Sequence, residues 1–167
     1  MTTEDTAIRF DPRHEDESWN PSWTPSLTLG EDDETTSWED LPEAEFLAFR
    51  FRVNAVLTVA GQDFSTTYIP VLDFALAWSW VPRALADDPR AETAMTAEGL
   101  VYRFLRQQDQ VRISSNLHPA TASVPLPVLT GLVDDMVTKA FGLLYGAHPQ
   151  LRGNRYLLDV SRRIGRG

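Results

Sequence analysis

The chain contains a long stretch in which apolar and polar side chains alternate. Within residues 49–59 every odd position is apolar, whereas most even positions are polar. A period of two predicts a strand that buries one face and exposes the other. Gly61 interrupts the run and residues 64–68 alternate again, which indicates a hairpin. The proline that follows at once predicts the start of an apolar helix over residues 70–81.

A second region of alternation lies further along the chain. Apolar and polar side chains alternate on both sides of a polar turn at residues 107–110, so residues 98–115 predict a second hairpin. A short extended piece is expected at residues 121–124. From Pro127 to Gly146, apolar side chains recur at spacings of three and four residues, which predicts a long amphipathic helix.

These elements predict an α+β fold in the order ββαββ(β)α. Its antiparallel sheet would contain four to five strands from two hairpins, with two main helices packed on one face. A chain of 167 residues is long enough to bury the core that such a fold requires.

Charge is distributed unevenly along the chain. The formal net charge is −9, yet residues 1–45 alone carry 14 acidic and 2 basic side chains. The remaining residues have a net charge of +3, and residues 149–167 hold five arginines against one aspartate. This asymmetry predicts three parts: an acidic arm, residues 1–45, an α+β domain, residues 46–148, and an arginine-rich tail, residues 149–167.

The acidic arm combines carboxylates and prolines with three tryptophans, Trp19, Trp23 and Trp38. Proline and a high density of acid disfavour a packed helix or a central strand in this region. An indole ring, in contrast, offers a large apolar surface and one N–H donor, which suits docking onto a protein surface. We therefore expect the arm to dock onto its own domain or onto a partner.

A set of partner-binding residues follows from these features. It joins the three tryptophans to the second acidic cluster and to two arginines on the exposed face of the first predicted strand. Those arginines would either form an anion-binding stripe or keep the sheet face soluble beneath the acidic arm. The predicted partner-binding residues are Trp19, Trp23, Asp32, Asp33, Glu34, Trp38, Arg50 and Arg52.

The composition excludes several kinds of chemistry. The chain has no cysteine, which removes disulfides, thiolate nucleophiles and thiolate metal sites. It also lacks the motifs of phosphate-binding loops and serine-hydrolase nucleophile elbows, so we predict no catalytic residue, cofactor or metal ion. The first residues have no apolar signal-peptide core, and no apolar run could span a membrane. A cytoplasmic location is therefore expected.

Few other residues suggest chemistry. His118 and His148 each precede a proline in a predicted loop, where the imidazole is expected to satisfy a backbone group. Trp78 and Trp80 lie two positions apart on the first helix, so one ring should enter the core while the other faces outward. Neither pair indicates a catalytic site.

The order of elements resembles the small, cysteine-free α+β immunity proteins of bacterial toxin systems. The similarity covers residues 46–146 and includes the helix with LDFALAWSW, the hairpin that ends in VRISS and the closing helix PVLTGLVDDMVTKAFGLL. The resemblance implies a non-enzymatic bacterial protein that masks a basic protein partner. It assigns no role to any individual residue, because these families share shape more than residues.

Other functions are also compatible with the sequence. The arm would strap a neighbouring subunit in a structural or adaptor protein, which leaves a homo-oligomer open. A small enzyme or small-molecule binder would need a pocket near Trp78, His118 and Arg112. In a further alternative, the arm folds back on its own domain and arginine-rich tail. Nucleic-acid binding ranks low because the whole chain is acidic, and no membrane partner is expected.

Overall fold

The computed structural model describes residues 5–29, 34–96 and 99–165, and it confirms the α+β class. Within these residues the strands are β1 (Ala7–Pro12), β2 (Arg52–Val59), β3 (Gln62–Asp63), β4 (Thr66–Pro70), β5 (Arg90–Ala94), β6 (Val101–Gln107), β7 (Gln110–Ser115) and β8 (Ala122–Pro125). The α-helices are α1 (Val71–Ser79), α2 (Val81–Asp87), α3 (Leu126–Ala147) and α4 (Arg155–Ile164). Short 3-10 turns occupy Glu17–Trp19 and Pro149–Gly153, and a π-helical turn occupies Glu45–Phe49.

The first sheet is organised around β2. β1 pairs with one edge of β2, and β3 and β4 pair with the other edge, all antiparallel. The first predicted hairpin is confirmed as β2 with β3 and β4. β1 lies in the arm, where the sequence predicted no strand, and it buries Ile8 and Phe10 against the core. Its proline, Pro12, ends an edge strand, where a missing N–H is tolerated.

The second sheet is an antiparallel meander in the order β5, β6, β7, β8. The second predicted hairpin is confirmed as β6 and β7, and the extended piece at residues 121–124 corresponds to β8. The strands are divided between two sheets, whereas the sequence suggested one. The division arises because α1 begins directly after Pro70 ends β4. The two helices α1 and α2 therefore separate β4 of the first sheet from β5 of the second sheet.

Buried side chains from both sheets and from α1 and α3 form one hydrophobic cluster. Trp78 of α1 makes edge-to-face contacts with Tyr102 and Phe104 of β6, at centroid distances of 4.8 and 5.1 Å. The Tyr102 hydroxyl donates to the carbonyl oxygen of Phe64 at 2.8 Å, which joins the second sheet to the β3–β4 connection. Burial raises the pKa of this phenol well above its ordinary value.

The helices predicted from the sequence pattern are present as α1 and α3, whereas α2 lies where a break in the chain was expected. The predicted closing helix is confirmed as α3, whose first turn contains Pro127. Proline is tolerated there because backbone N–H groups of the first turn have no partner within the helix. The arginine-rich tail forms α4, which buries Leu157 and Val160 against the rest of the chain. α3 packs against both α1 and β1, so it connects the helical layer to the first sheet.

The outer edge of β1 is covered in part by α3. Lys139 donates from Nζ to the carbonyl oxygen of Ile8 at 2.7 Å and pairs with Asp135 at 2.9 Å. An edge strand with free backbone groups is a template for pairing with another chain. The lysine therefore occupies one of the acceptors that a further strand would use.

Candidate functional site

The acidic arm lies against the domain with its tryptophan rings inward. Trp23 is buried and makes edge-to-face contacts with Trp38 and Phe51, each at a centroid distance of 5.7 Å. Trp19 packs against Phe51 at 5.3 Å, and its Nε1 donates to the carbonyl oxygen of Arg52 at 2.7 Å. The three rings that were predicted to bind a partner therefore contact their own chain.

Arg50 is the centre of a buried polar network beneath the arm. Its Nε donates to Glu45 Oε2 at 3.0 Å, and its Nη2 donates to Ser26 Oγ at 2.8 Å. The guanidinium also pairs with Glu17 at 3.2 Å and lies 4.9 Å from the centre of the Trp23 ring. The side chains of Arg50 and Glu45 are only 10% and 3% exposed. The sequence placed Arg50 on an exposed sheet face, and that placement is wrong.

The local backbone explains why Arg50 is buried. β2 begins only at Arg52, and Phe51 has a φ of 57°, a left-handed conformation that is uncommon for a large side chain. Hydrogen bonds to acceptors of the arm hold this conformation in place. The Phe51 N–H donates to Ser18 Oγ at 2.9 Å, and the Arg52 N–H donates to Asp16 Oδ2 at 2.8 Å. The alternation of β2 therefore does not extend back to Arg50.

Arg52 lies on the outer face of the first sheet, as predicted. Its guanidinium stacks 4.5 Å from the centre of the Tyr68 ring and donates to the carbonyl oxygens of Tyr68 and Ala48 at 2.7 and 2.8 Å. Arg13 of the arm lies 5.4 Å from the same ring. Arg52 of the domain and Arg13 of the arm therefore lie against the same aromatic ring.

The C-terminal residues enclose the arm from another side. His148 is buried, its Nε2 donates to a carbonyl oxygen of the arm at 2.5 Å, and its ring lies 4.7 Å from Trp38. Asn154 is also buried, and its Nδ2 donates to the carbonyl oxygens of Trp38 and Leu41 at 2.8 and 2.9 Å. Its Oδ1 accepts from the N–H of Leu157 and so caps α4. These contacts match the alternative in which the arm folds back on its own domain.

Three glutamates of the arm have the opposite orientation from its tryptophans. Glu34, Glu39 and Glu43 are exposed to solvent. Asp32 and Asp33, which were also predicted to bind a partner, lie outside the described residues. The described part of the arm therefore has an aromatic inner side and acidic side chains on its outer side.

An ion pair between Asp40 and Arg155 connects the arm to the arginine-rich tail. The two side chains are 3.1 Å apart and are 54% and 76% exposed. An exposed pair contributes about 0–1 kcal/mol to stability. The buried network around Arg50 is therefore a more important attachment than this surface contact.

The residues considered for chemistry have structural roles. His118 Nε2 donates to the carbonyl oxygen of Ser65 at 2.7 Å, and its Nδ1 lies 2.5 Å from Ser115 Oγ, which confirms that the ring satisfies a backbone group. Trp78 is fully buried whereas Trp80 is 45% exposed, as the helical spacing predicted. Among the described residues, no three His, Asp or Glu side chains are grouped so that they could hold a metal ion.

A concavity of about 410 Å³ lies on the outer face of the second sheet. Arg112 lines it, whereas Trp78 and His118 both contact Tyr102, whose side chain is buried on the inner face. The three residues that were expected near one pocket are therefore on opposite faces of the sheet. The other residues that line the concavity are Arg90, Ala91, Glu92, Arg103, Phe104, Leu105 and Ser114.

Sequence reasoning did not identify this arginine-lined face. Arg103 and Arg112 occupy the exposed positions of the second predicted hairpin, so their alternation with buried residues carried the signal. Arg90 could not be placed because the sequence predicted no strand at residues 90–94. Only the pairing of β5 with β6 brings the third arginine to the same face.

Comparisons of the chain with protein-family models, with curated proteins and with solved structures gave no match. Within the described part of the chain, each helix is too short or too polar to cross a bilayer.

Proposed function

We propose that this chain is a non-enzymatic protein-binding module that covers a basic surface of another protein, as an immunity protein covers its toxin. The observation that supports the proposal is the division of residue types in the arm. Its tryptophan rings are held against the domain, whereas Glu34, Glu39 and Glu43 face solvent. A fixed acidic surface accelerates encounter with a basic partner and disfavours other partners.

The predicted partner-binding residues take two roles in this proposal. Those that fix the arm on the domain are Trp19, Trp23, Trp38 and Arg50. Those that contact the basic partner are Asp32, Asp33 and Glu34, to which we add the exposed Glu39 and Glu43. Arg52 stacks on Tyr68 and shapes the neighbouring sheet surface.

The adaptor alternative would require the arm to leave its own domain and strap another subunit. That movement would expose Trp23 and would remove Ser26 and Thr28 from the buried Arg50–Glu45 pair. Loss of hydrogen bonds from a buried charged pair is expensive. We therefore favour a partner that binds the arm while the arm stays folded.

The test is affinity capture from a lysate of the source organism, with proteins identified by mass spectrometry. The arm variant carries Glu34→Gln, Glu39→Gln and Glu43→Gln. The control variant removes the same charge from exposed positions outside the arm and carries Asp87→Asn, Asp109→Asn and Asp134→Asn.

We expect the wild-type chain and the control variant to retain a basic protein at low salt and to release it as salt increases. The arm variant should lose it, because the acidic contacts are gone. The proposal is wrong if no basic protein is captured, or if both variants lose the captured protein equally.

A further inference from the structure

Three arginines occupy neighbouring strands on the outer face of the second sheet. Arg90 of β5, Arg103 of β6 and Arg112 of β7 are all exposed. In the sheet register, Leu105 of β6 is paired with Arg90 on one side and with Arg112 on the other. Because strands lie about 4.8 Å apart, these two arginine backbones are about 10 Å apart with a leucine between them.

The adjacent row of the same face contains the third arginine. Arg103 is paired with Glu92 of β5 and with Ser114 of β7. Its Nε donates to Glu92 Oε2 at 3.2 Å, in a pair whose side chains are 55% and 60% exposed. An exposed pair of this kind contributes little to stability, so a competing anion displaces the glutamate readily.

Charge and size restrict what this face can bind. Arg90 and Arg112 form no ion pair with any described residue. Glu92 is the single carboxylate that lines the concavity, whose volume of about 410 Å³ suits a small molecule. The chain as a whole carries a net charge of −9. A long polyanion would extend beyond the three arginines and meet this negative charge, whereas a compact anion stays beside the arginines.

We propose that this concavity binds a small organic phosphate monoester. The phosphate group lies between Arg90 and Arg112, because the planar guanidinium fork donates two parallel hydrogen bonds to phosphate oxygens. Arg103 and the Ser114 hydroxyl supply further donors from the adjacent row. Leu105, which forms the floor between the two arginines, contacts the carbon skeleton of the ester. The site is separate from the acidic arm, so it can fail without affecting the proposed protein-binding function.

The experiment is a calorimetric titration of the full chain with phenyl phosphate, compared with inorganic phosphate and with a short single-stranded DNA oligonucleotide. The site variant carries Arg90→Gln and Arg112→Gln. The control variant removes the same charge from exposed positions on α2 and α4 and carries Arg83→Gln and Arg162→Gln. A third variant, Glu92→Gln, removes the carboxylate that competes for Arg103.

We expect phenyl phosphate to bind with a dissociation constant below about 1 mM and more tightly than inorganic phosphate, which lacks the ring that meets Leu105. The site variant should weaken binding by about tenfold or more, and the control variant should leave it unchanged. Glu92→Gln should strengthen binding, an effect that a merely structural role for this face would not give.

Three outcomes would overturn the proposal. They are the absence of saturable binding of phenyl phosphate, an equal loss of affinity in the site and control variants, and weaker binding in Glu92→Gln. Tighter binding of the oligonucleotide that depends on Arg90 and Arg112 would replace the small ligand with a nucleic acid.

Discussion

Arg50 and Glu45 form an ion pair that is almost completely removed from solvent, and Ser26 and Thr28 of the arm supply further hydrogen bonds from side chains and backbone. A buried charge that loses its partner keeps the full cost of desolvation. The pair between Arg9 and Asp11 is well exposed, so water replaces either partner. Two arginine–carboxylate pairs of the same chain therefore make very different contributions to stability.

We predict that Arg50→Met lowers the free energy of unfolding by about 3–5 kcal/mol, because it leaves the Glu45 carboxylate buried without its partner. Arg9→Met removes the same type of side chain from an exposed pair and should change stability by less than about 1 kcal/mol. Urea unfolding followed by circular dichroism measures both values. Similar small effects in the two variants would contradict the role of Arg50 as a buried anchor.

Tyr156 should make stability depend on pH in alkaline solution. Partial burial raises the pKa of its phenol from 10.0 to about 12, and the nearby Glu43 carboxylate acts in the same direction. Well below pH 10.0 the phenol is protonated in both the folded and the unfolded chain, so it causes no pH dependence. Between that pH and about 12 the unfolded chain loses the proton more readily, so the free energy of unfolding falls as pH rises.

The Tyr156→Phe variant tests this linkage, because it removes the titrating group and keeps the ring. We expect the variant to lose less stability than the wild-type chain between about pH 9 and about pH 11.5, as measured by chemical unfolding at each pH. An identical loss in the two proteins would show that Tyr156 does not contribute.

Single-residue predictions from the sequence succeeded where the determining geometry was local. Helical spacing was enough to separate the directions of Trp78 and Trp80, and a loop context was enough for His118. Arg50 was misplaced because the left-handed conformation of Phe51 interrupts the alternation of buried and exposed residues before β2 begins. That conformation is held by the hydrogen bond that the Phe51 N–H donates to Ser18 Oγ, and Ser18 is distant in the sequence.

At the level of secondary structure, long alternating or helical patterns were sufficient to find most elements. β2, the β6–β7 hairpin and α3 were all predicted from periodicity alone. β1 and β5 were missed because each contains few apolar residues and is stabilised by pairing with a longer strand, which a local pattern does not report. The arginine-lined face escaped prediction for the same reason, since it requires β5.

Asn154 joins one element to another, and its removal should disturb both. Asn154→Ala removes the cap of α4 and two hydrogen bonds to the arm, so we expect a loss of about 2–4 kcal/mol. Asn20→Ala is the control, because that side chain is exposed and bonds to Ser22 within the arm.

Hydrogen exchange distinguishes the two functions of Asn154. Amides of α4 and of residues 34–45 should lose protection together in the alanine variant. Loss of protection in α4 alone would show that Asn154 caps the helix without fastening the arm.

At the scale of the whole molecule, the arm shares the hydrophobic cluster of the domain. Ile8, Phe10, Trp23 and Leu41 of the arm belong to the same cluster as the inner faces of both sheets. The division of the sequence into three parts was inferred from charge, and charge reports on surface side chains. Burial depends instead on a few apolar residues that are scattered along the arm. Only the three-dimensional structure shows that these residues pack into the same core.

A shared core predicts a single unfolding transition. In a variant that carries Trp78→Phe and Trp80→Phe, the remaining tryptophans all lie in the arm, so fluorescence reports on the arm alone. We expect its fluorescence midpoint in urea to coincide with the midpoint from far-ultraviolet circular dichroism of the same sample. A fluorescence transition at lower urea would mean that the arm detaches before the domain unfolds.

The contact between Lys139 and the Ile8 carbonyl oxygen matters for how this protein is handled. Lys139 is the single lysine of the chain, so amine-reactive reagents modify no other side chain in the same way. Acylation of Nζ abolishes its positive charge and weakens its bond to β1, which opens the strand edge to self-association. The protein should therefore be attached to sensor chips and fluorophores through a terminal tag. Amine coupling would produce molecules that self-associate through β1, and this self-association would resemble the binding of a partner.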